Sequence, residues 1–438
     1  MNIYFHIDEF ARDSIVASSL KKEFKNRGSR LIYGNRFTTK FILPLFYSSF
    51  DCIIVPRASF IKTNNSLNRT NVVVLPTESI GRINSSHEYI LYNTFGEKFM
   101  LGDKSEYNFV TMFFLWGNLQ KNIIDKILPQ YSSKIFVVGH PRLDKNCTTI
   151  TNAKTKSEKI KIGIVSRMTH SNSYDNRTIL NHFKIVKNEK YIYYKNEQDN
   201  LPNSFFNGLP DYIYQELSDF NVYYNIILKL INNSNIEIYF KVHPRENVLV
   251  WSEFFKKEIT KGNFFLTNWE TPFVHWCQNL DYLVSTSSTS FYEALALNTK
   301  IICIDEIDTY KKFHDLEPSE KTFGLSKYMY LPESIAELEE IIYEKKNDLI
   351  CNENGLKNQL ISEINYPDCF SSTNQIIDLI ERNIIPKTKY KPYFYELFSY
   401  IINNLIYMKR LITFRTESQS NNFLLTFKNK SYINNLIK

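Results

Sequence analysis

Short apolar runs alternate along this chain with longer segments that carry one apolar face. No other feature constrains the fold as strongly. Ile3–Ile7, Arg30–Tyr33, Asp51–Val55, Val72–Leu75, Phe109–Trp116 and Lys134–Val138 read as strands, with helices at Arg12–Lys25 and Asn118–Ile127. A second series opens at Ile160–Val165, with further strands at 236–242, 263–266, 281–284 and 300–304. Helices are expected between these strands at Tyr212–Leu230, 247–260, 271–277 and 288–297, and beyond them at Pro332–Tyr343 and Ser372–Arg382. Parallel strands need long crossovers, and helices supply them, so this alternation specifies an α/β chain with parallel sheets. Residues 145–159 are polar and aperiodic and read as a linker. The expected division is therefore 1–150, 160–385, and a basic aromatic helical tail at 386–438.

Composition narrows the function classes. Hydrophobic content of 43% and aromatic content of 15% exclude a mainly disordered chain of 438 residues. The net charge of +7 is concentrated in the tail, where nine Lys or Arg face two Glu. A neutral body with a basic tail points to an anionic membrane surface as partner of the tail alone. No basic stripe or nucleic-acid module stands elsewhere, so no nucleic acid is expected. The six Cys are scattered without C-x-x-C, which suits free thiols in a reducing compartment and gives no metal-site spacing. Acidic residues come too early for a signal peptide, and no apolar run is long enough to span a bilayer. The expected location is cytoplasmic, peripheral on the inner membrane through the tail. G-x-G-x-x-G and the Walker P-loop are both absent, which argues against dinucleotide-dependent oxidoreductases and ATPases.

Two segments carry most of the chemistry. Lys241-Val-His-Pro-Arg-Glu246 follows one strand, and Ser285-Thr-Ser-Ser-Thr-Ser290, leading to Glu293, follows another. Ligands of parallel sheets bind at the carboxyl ends of strands, where helix N-termini offer free N–H groups to phosphate. Pro244 disfavours helix at His243 and holds it at the strand end. His243 can donate to a phosphate, and Arg245 can pair with phosphate or carboxylate through two parallel hydrogen bonds. Ser285, Thr286, Ser287, Ser288, Thr289 and Ser290 can cap a helix starting near Ser288 or grasp a phosphate. Glu293 can accept from a ribose hydroxyl or serve the cap.

Four further segments carry candidate residues. Glu78 stands just past a strand, as an acid–base or acceptor-binding group or a solvated loop residue. His140, Arg142 and Asp144, in Gly139-His-Pro-Arg-Leu-Asp144, can meet an anionic substrate, or Arg142 and Asp144 can pair structurally. Asp211 precedes the long helix, where N-capping is the common use of such a residue. The aromatic tail segment 393–408 reads as a helix packed on the body, and the basic remainder as a membrane or partner contact.

Several of these motifs together resemble bacterial surface-carbohydrate biosynthesis proteins of GT-B fold. The opening Ile-Tyr-Phe-His-Ile-Asp-Glu-Phe-Ala-Arg-Asp13, Arg27-Gly28 and Tyr33-Gly-Asn35 look like their first βαβ unit. Leu115-Trp-Gly-Asn-Leu-Gln120 with Val138-Gly-His-Pro-Arg-Leu-Asp144 looks like their W-G…G-x-P-R-x-D pattern. The resemblance spans residues 1–310 and implies two Rossmann-like domains facing a cleft, acceptor in the first and nucleotide sugar in the second. Retaining β-Kdo transferases are the nearest class, and bacterial GT-B sialyltransferases share the His-Pro and later Ser/Thr motifs. Carried over, His243 and Ser287–Thr289 would hold the phosphate and ribose of CMP. The class implies an Asp nucleophile, which no firm motif places; Asp211 is the candidate, with Glu78 as the acceptor-side base or hydrogen-bond partner. Thr77-Glu78-Ser79 carries one carboxylate where relatives tend to carry an acidic pair. The implied activity transfers a sugar acid from a CMP-activated donor to a glycan or lipid-linked glycan, with no cofactor and no metal. Three rivals share the architecture: a polyol-phosphate transferase of teichoic-acid type, a UDP-sugar transferase or epimerase, and a non-catalytic assembly scaffold.

Overall fold

The computed structural model describes residues 1–8, 10–61, 67, 70–78, 86–96, 107–144, 159–169, 171–173, 204–268, 271–307, 325–346, 348–387 and 392–413. The chain forms two compact units, each built on one parallel sheet.

In the first unit β1 (Asn2–Ile7), β2 (Arg30–Asn35), β3 (Cys52–Val55), β4 (Asn71–Val74), β5 (Val110–Leu115) and β6 (Ile135–Val137) pair in the order β2-β1-β3-β4-β5-β6. Helices α1 (Phe10–Asn26), α2 (Ser86–Phe95) and α3 (Asn118–Ile127) connect them. β1 and β3–β5 are buried almost throughout, as the near-continuous apolar runs require. One core, including Tyr4, Ile53, Val72, Phe113 and Tyr131, lies on one face of the sheet; a second, including Phe5, Leu20, Phe24 and Phe114, lies on the other.

The second unit pairs β7 (Ile160–Val165), β8 (Ile236–Lys241), β9 (Phe264–Thr267), β10 (Tyr282–Ser285) and β11 (Lys300–Cys303) in the order β11-β10-β7-β8-β9. The helices are α4 (Ser204–Leu230), α5 (Val248–Phe254), α6 (Lys256–Thr260), α7 (Phe273–Cys277), α8 (Ser290–Ala296) and α9 (Ile335–Tyr343). Ile226, Ile227 and Leu230 of α4 and Leu338, Ile341 and Ile342 of α9 pack on the sheet.

The boundaries differ from expectation towards the C-terminal part of the sequence. The second unit ends at Asn352, and 353–385, expected in it, belongs to the first unit. Helices α10 (Glu353–Ile364) and α11 (Ser372–Asn383) pack there closely enough to demand glycine. A Cβ on Gly117 would stand 2.3 Å from the Ser362 carbonyl oxygen, and one on Gly139, at φ +75°, 2.6 Å from Ser372 Oγ. Gln120 Nε2 donates to the Glu363 carbonyl at 3.1 Å, and Ile376, Ile377 and Ile380 complete the second core.

The tail helix α12 (Tyr393–Thr413) also belongs to this unit. Tyr395, Ser399 and Asn403 form its buried stripe, at the i, i+4 and i+8 spacing of one helix face. Tyr395 meets Tyr4, Phe46 and Phe50 with centroids 5.6, 5.9 and 5.3 Å away. Arg30 donates to both carboxylate oxygens of Glu396 at 2.7 and 2.6 Å. The expected packing of 393–408 thus holds at these residues. Phe394, Leu397, Phe398, Ile401 and Leu405 remain exposed, and the basic remainder from 414 lies outside the described residues.

Candidate functional site

The chain enters the second sheet at β7, steps outward through β8 and β9, then returns to the other side of β7 as β10. Strand order reverses between β7 and β10, and the crevice outside their carboxyl ends is the favoured ligand position of an open α/β sheet. Three loops lead from the strand ends there: Ser166–Thr169 from β7, Val242–Glu246 from β8, and Thr286–Thr289 from β10.

The middle loop is a tight turn. The Glu246 N–H donates to the His243 carbonyl at 3.0 Å, and the Arg245 N–H donates to His243 Nδ1 at 3.2 Å. Nδ1 is therefore the acceptor, so the neutral imidazole carries its proton on Nε2, a donor. His243 is half-buried and Arg245 exposed.

Glu246, whose role the sequence did not reveal, ties the β7 loop to the β8 loop. Its buried carboxylate accepts from Ser166 Oγ at 2.7 Å, the Met168 N–H at 2.6 Å and Trp251 Nε1 at 2.7 Å. Ser166 Oγ in turn accepts the His243 N–H at 3.0 Å. Burial pushes the Glu246 carboxyl up to about 7, although the three donors favour its charged form. Glu216 on α4 accepts from Thr169 Oγ1 and from the Ser171 N–H and hydroxyl at 3.2, 2.8 and 3.0 Å, fixing the end of the β7 loop.

The hydroxyl run divides in two. Ser285, Thr286 and Ser287 are buried. The Thr286 N–H donates to Tyr223 Oη at 3.1 Å, and the Ser287 hydroxyl donates to Asp305 at 2.5 Å. These three residues face the protein. Ser288, Thr289 and Ser290 are half-buried, with the Ser288 and Ser290 hydroxyls bonded to each other. The helix begins at Ser290 rather than near Ser288, and its N-cap, Thr289, makes no side-chain cap bond. Glu293 is buried in its first turn and favours the charged form of Lys241. Burial outweighs it and pushes the Lys241 ammonium down to about 8; the group donates to the Asn268 and Thr271 carbonyls at 3.2 and 2.5 Å.

The remaining candidates fall elsewhere. Asp211 lies within α4, which begins at Ser204, so it is not the N-cap expected at that position; its side chain lies outside the described residues. Glu78, His140, Arg142 and Asp144 are in the first unit. Glu78 accepts from Arg12 Nη1 at 2.9 Å and faces Arg142 Nη1 at 3.6 Å, so its carboxylate lies between two cations. Buried Arg142 also covers the Trp116 ring at 5.0 Å. Asp144 Oδ2 accepts the Thr373 N–H at 2.8 Å and so caps α11. The His140 ring lies 4.5 Å from that of Trp116, and its Nδ1 accepts the Arg142 N–H at 3.1 Å. Burial, with Arg142 and Arg12, pushes its imidazole well below the usual range. Among the described residues no cluster of His, Cys, Asp and Glu has the arrangement of a metal site.

No protein-family model matches the chain, and no curated protein matches it. Solved structures do. The wall teichoic acid polymerase TagF, H444N variant, aligns with a TM-score of 0.53 at 10% identity, over 87% of this chain and 88% of that one. Its H548A variant aligns at 0.51 and 9% identity over the same shares. The Methanocaldococcus jannaschii UDP-GlcNAc 2-epimerase, in complex with UDP-GlcNAc and UDP, aligns at 0.48 and 11% identity, over 87% of this chain and 100% of that one. The chain has the α/β architecture of the GT-B fold.

Proposed function

We propose that this chain is a glycosyltransferase of bacterial surface-polysaccharide synthesis whose second unit binds a CMP-activated sugar acid such as Kdo. The observation that carries the reading is the His243 turn. The Arg245 amide occupies Nδ1, so Nε2–H is a donor at a strand end beside the crevice where strand order reverses. A phosphate oxygen is the natural acceptor for that donor. Exposed Arg245 suits the carboxylate of a sugar acid, which a guanidinium binds with two parallel hydrogen bonds. Ser288, Thr289 and Ser290 supply hydroxyls to the nucleotide, while Ser285, Thr286 and Ser287 hold the loop. Asp211 is the nucleophile we assign to a retaining transfer.

The acceptor is a glycan or lipid-linked glycan, handled by the first unit at the cytoplasmic membrane face. Support for the membrane comes from the exposed Phe394, Leu397, Phe398, Ile401 and Leu405 of α12, with basic residues following in the sequence. A second reading, a polyol-phosphate transferase, draws support from the likeness to the teichoic acid polymerase.

A thermal-shift comparison of CMP, CDP, UDP, UMP and GDP tests the donor site, because a ligand of the native state raises the melting temperature. CMP should stabilise selectively, and His243→Ala should abolish the shift while leaving the unliganded protein folded. Turnover of CDP-glycerol would favour the second reading. Selective stabilisation by UDP would replace the CMP donor with a UDP-sugar, and no shift by any nucleotide would put the scaffold ahead.

A further inference from the structure

The hydrogen bonds around Glu246 admit two complete arrangements, one for each protonation state. Ser166 Oγ carries a single proton and stands within reach of two acceptors, Glu246 Oε2 at 2.7 Å and the Lys241 carbonyl at 3.2 Å. The same hydroxyl oxygen accepts the His243 N–H at 3.0 Å. Trp251 Nε1 donates to Glu246 Oε2 and the Met168 N–H to Oε1, at 2.7 and 2.6 Å.

With Glu246 ionised, the Ser166 hydroxyl points at Oε2 and the carboxylate receives all three donors. With Glu246 protonated on Oε2, the carboxyl donates to Ser166 Oγ, and the Ser166 hydroxyl turns to the Lys241 carbonyl. That carbonyl already accepts the Ser166 N–H at 3.0 Å and has a second lone pair. Ser166 Oγ then accepts from His243 and from Glu246, one on each lone pair. Neither arrangement strands a buried donor, and both keep the His243 N–H in place. The clamp can gain or lose a proton without releasing the turn.

Charge decides which arrangement a ligand favours. His243 and Glu246 are the first and last residues of one hydrogen-bonded turn, so their Cα atoms lie within about 7 Å. Glu246 is 2% exposed, and a charge held in so little water acts strongly on its neighbours. Glu216 of α4, bonded to the β7 loop, is a second carboxylate that disfavours the ionised form. Helix α5 contributes only the neutral Trp251 donor. The cations on these loops are half-buried Arg167, between Ser166 and Met168, and exposed Arg245. The Lys241 ammonium is engaged by the Asn268 and Thr271 carbonyls. Burial, helped by Glu216, brings the Glu246 carboxyl to about 7, so its proton is exchangeable near neutral pH.

We propose that Glu246 and Ser166 are positioning residues that hold the His243 turn in both protonation states, and that a phosphate seated on His243 draws a proton from solvent onto Glu246. A carboxylate beneath the turn repels the incoming anion, and protonation removes that repulsion. One proton leaves bulk water, Glu246 becomes neutral and the Ser166 hydroxyl reverses. The proton returns to water when the phosphate leaves. His243 is a poor recipient for it, because Nδ1 already accepts the Arg245 N–H. The linkage rests on the phosphate assignment at His243 and holds for whichever nucleotide carries that phosphate.

Calorimetric titration of the full chain with CMP at pH 7.5, in two buffers of unequal ionisation enthalpy, counts the protons. Uptake of about half a proton per CMP is expected, with affinity falling about tenfold between pH 6.5 and 9. Glu246→Gln should bind CMP without the uptake, and keep only the pH dependence of the ligand's own phosphate. Its amide nitrogen donates to Ser166 as the protonated acid would. It cannot accept from Trp251, so Trp251→Phe is combined with it to remove the stranded donor. Infrared difference spectra of the unaltered chain read the same event should these variants fail to fold: CMP should remove a carboxylate band and add that of a buried protonated acid. Absence of the new band, binding without proton uptake, or uptake that survives in Glu246→Gln overturns the linkage and leaves the donor site standing. Proton uptake with UDP but no binding of CMP keeps the linkage and overturns the CMP donor. No binding by either nucleotide overturns both.

Discussion

His-Pro-Arg occurs twice in this chain, at 140–142 and 243–245, and both copies fold into the same turn. Each imidazole accepts, at Nδ1, the backbone N–H of the arginine two residues on. The tripeptide thus sets its own local geometry. What differs is the cover. His140 is packed on Trp116, Arg142 is buried, and Asp144 caps α11 across them. His243 is half-buried and Arg245 exposed, with the turn held from beneath through Ser166 and Glu246. One motif is part of a core and the other is open to a ligand, so the fate of a motif depends on what the rest of the chain lays over it.

The sharpest way to break this comparison is to remove both rings. His140→Ala should destabilise by about 3 kcal/mol, as truncation of a buried aromatic side chain does, and leave CMP affinity unchanged. His243→Ala should do the reverse: little change in the urea midpoint, and loss of the CMP-induced thermal shift. Equal stability losses from the two substitutions would mean that the second turn is structural as well.

A smaller effect separates the turns by the sign of their pH dependence. His140 has its imidazole pushed well below the unfolded value of 6.5, chiefly by burial. The unfolded chain binds that proton more readily, so this turn's contribution is complete above pH 6.5 and is lost as pH falls below it. Glu246 is shifted upward, from 4.5 to about 7, again chiefly by burial. Here the folded state binds the proton more readily, so the contribution is complete below pH 4.5 and is lost as pH rises through about 7. Urea titrations between pH 5 and 8 should show Glu246→Gln removing a slope that falls with pH and His140→Gln removing one that rises. Slopes of the same sign would refute the contrast in burial chemistry.

Much of this architecture was legible before the structure. Ile160–Val165 and Asn118–Ile127 match their elements residue for residue, because runs of β-branched residues and a regular apolar face are local signals. Less local features were not. The long helix was expected to start at Tyr212, yet α4 begins at Ser204 and runs through Gly208-Leu-Pro210, which removes Asp211 from its expected capping position. Helix α10 presents only Leu356, Leu360 and Ile364 as its buried apolar stripe within a polar sequence. Its assignment to the first unit rests on Gly117 and Gln120, more than two hundred residues earlier. In the candidate site His243 was recognisable from its strand and proline. Glu246 stood in the same hexapeptide without a role, because its function is to join its own loop to the β7 loop and to Trp251 of α5, which only folding brings together.

The smallest expected effect concerns the two arginines. Arg245 is exposed, so Arg245→Ala should change stability by no more than about 0.5 kcal/mol, the usual range for a surface substitution. Its consequence should appear in binding. If Arg245 receives the sugar-acid carboxylate, its loss should weaken a CMP-activated sugar acid while leaving CMP itself almost untouched, since His243 and the hydroxyls of Ser288, Thr289 and Ser290 remain. Arg142 provides the control. It lies over Trp116 and beside Glu78, so Arg142→Ala should lower stability and affect neither ligand. A calorimetric titration of both variants with CMP and with the sugar-acid nucleotide separates these outcomes. Equal weakening of the two ligands by Arg245→Ala would place the guanidinium on the phosphate, and the carboxylate contact would then have to be sought elsewhere in the second unit.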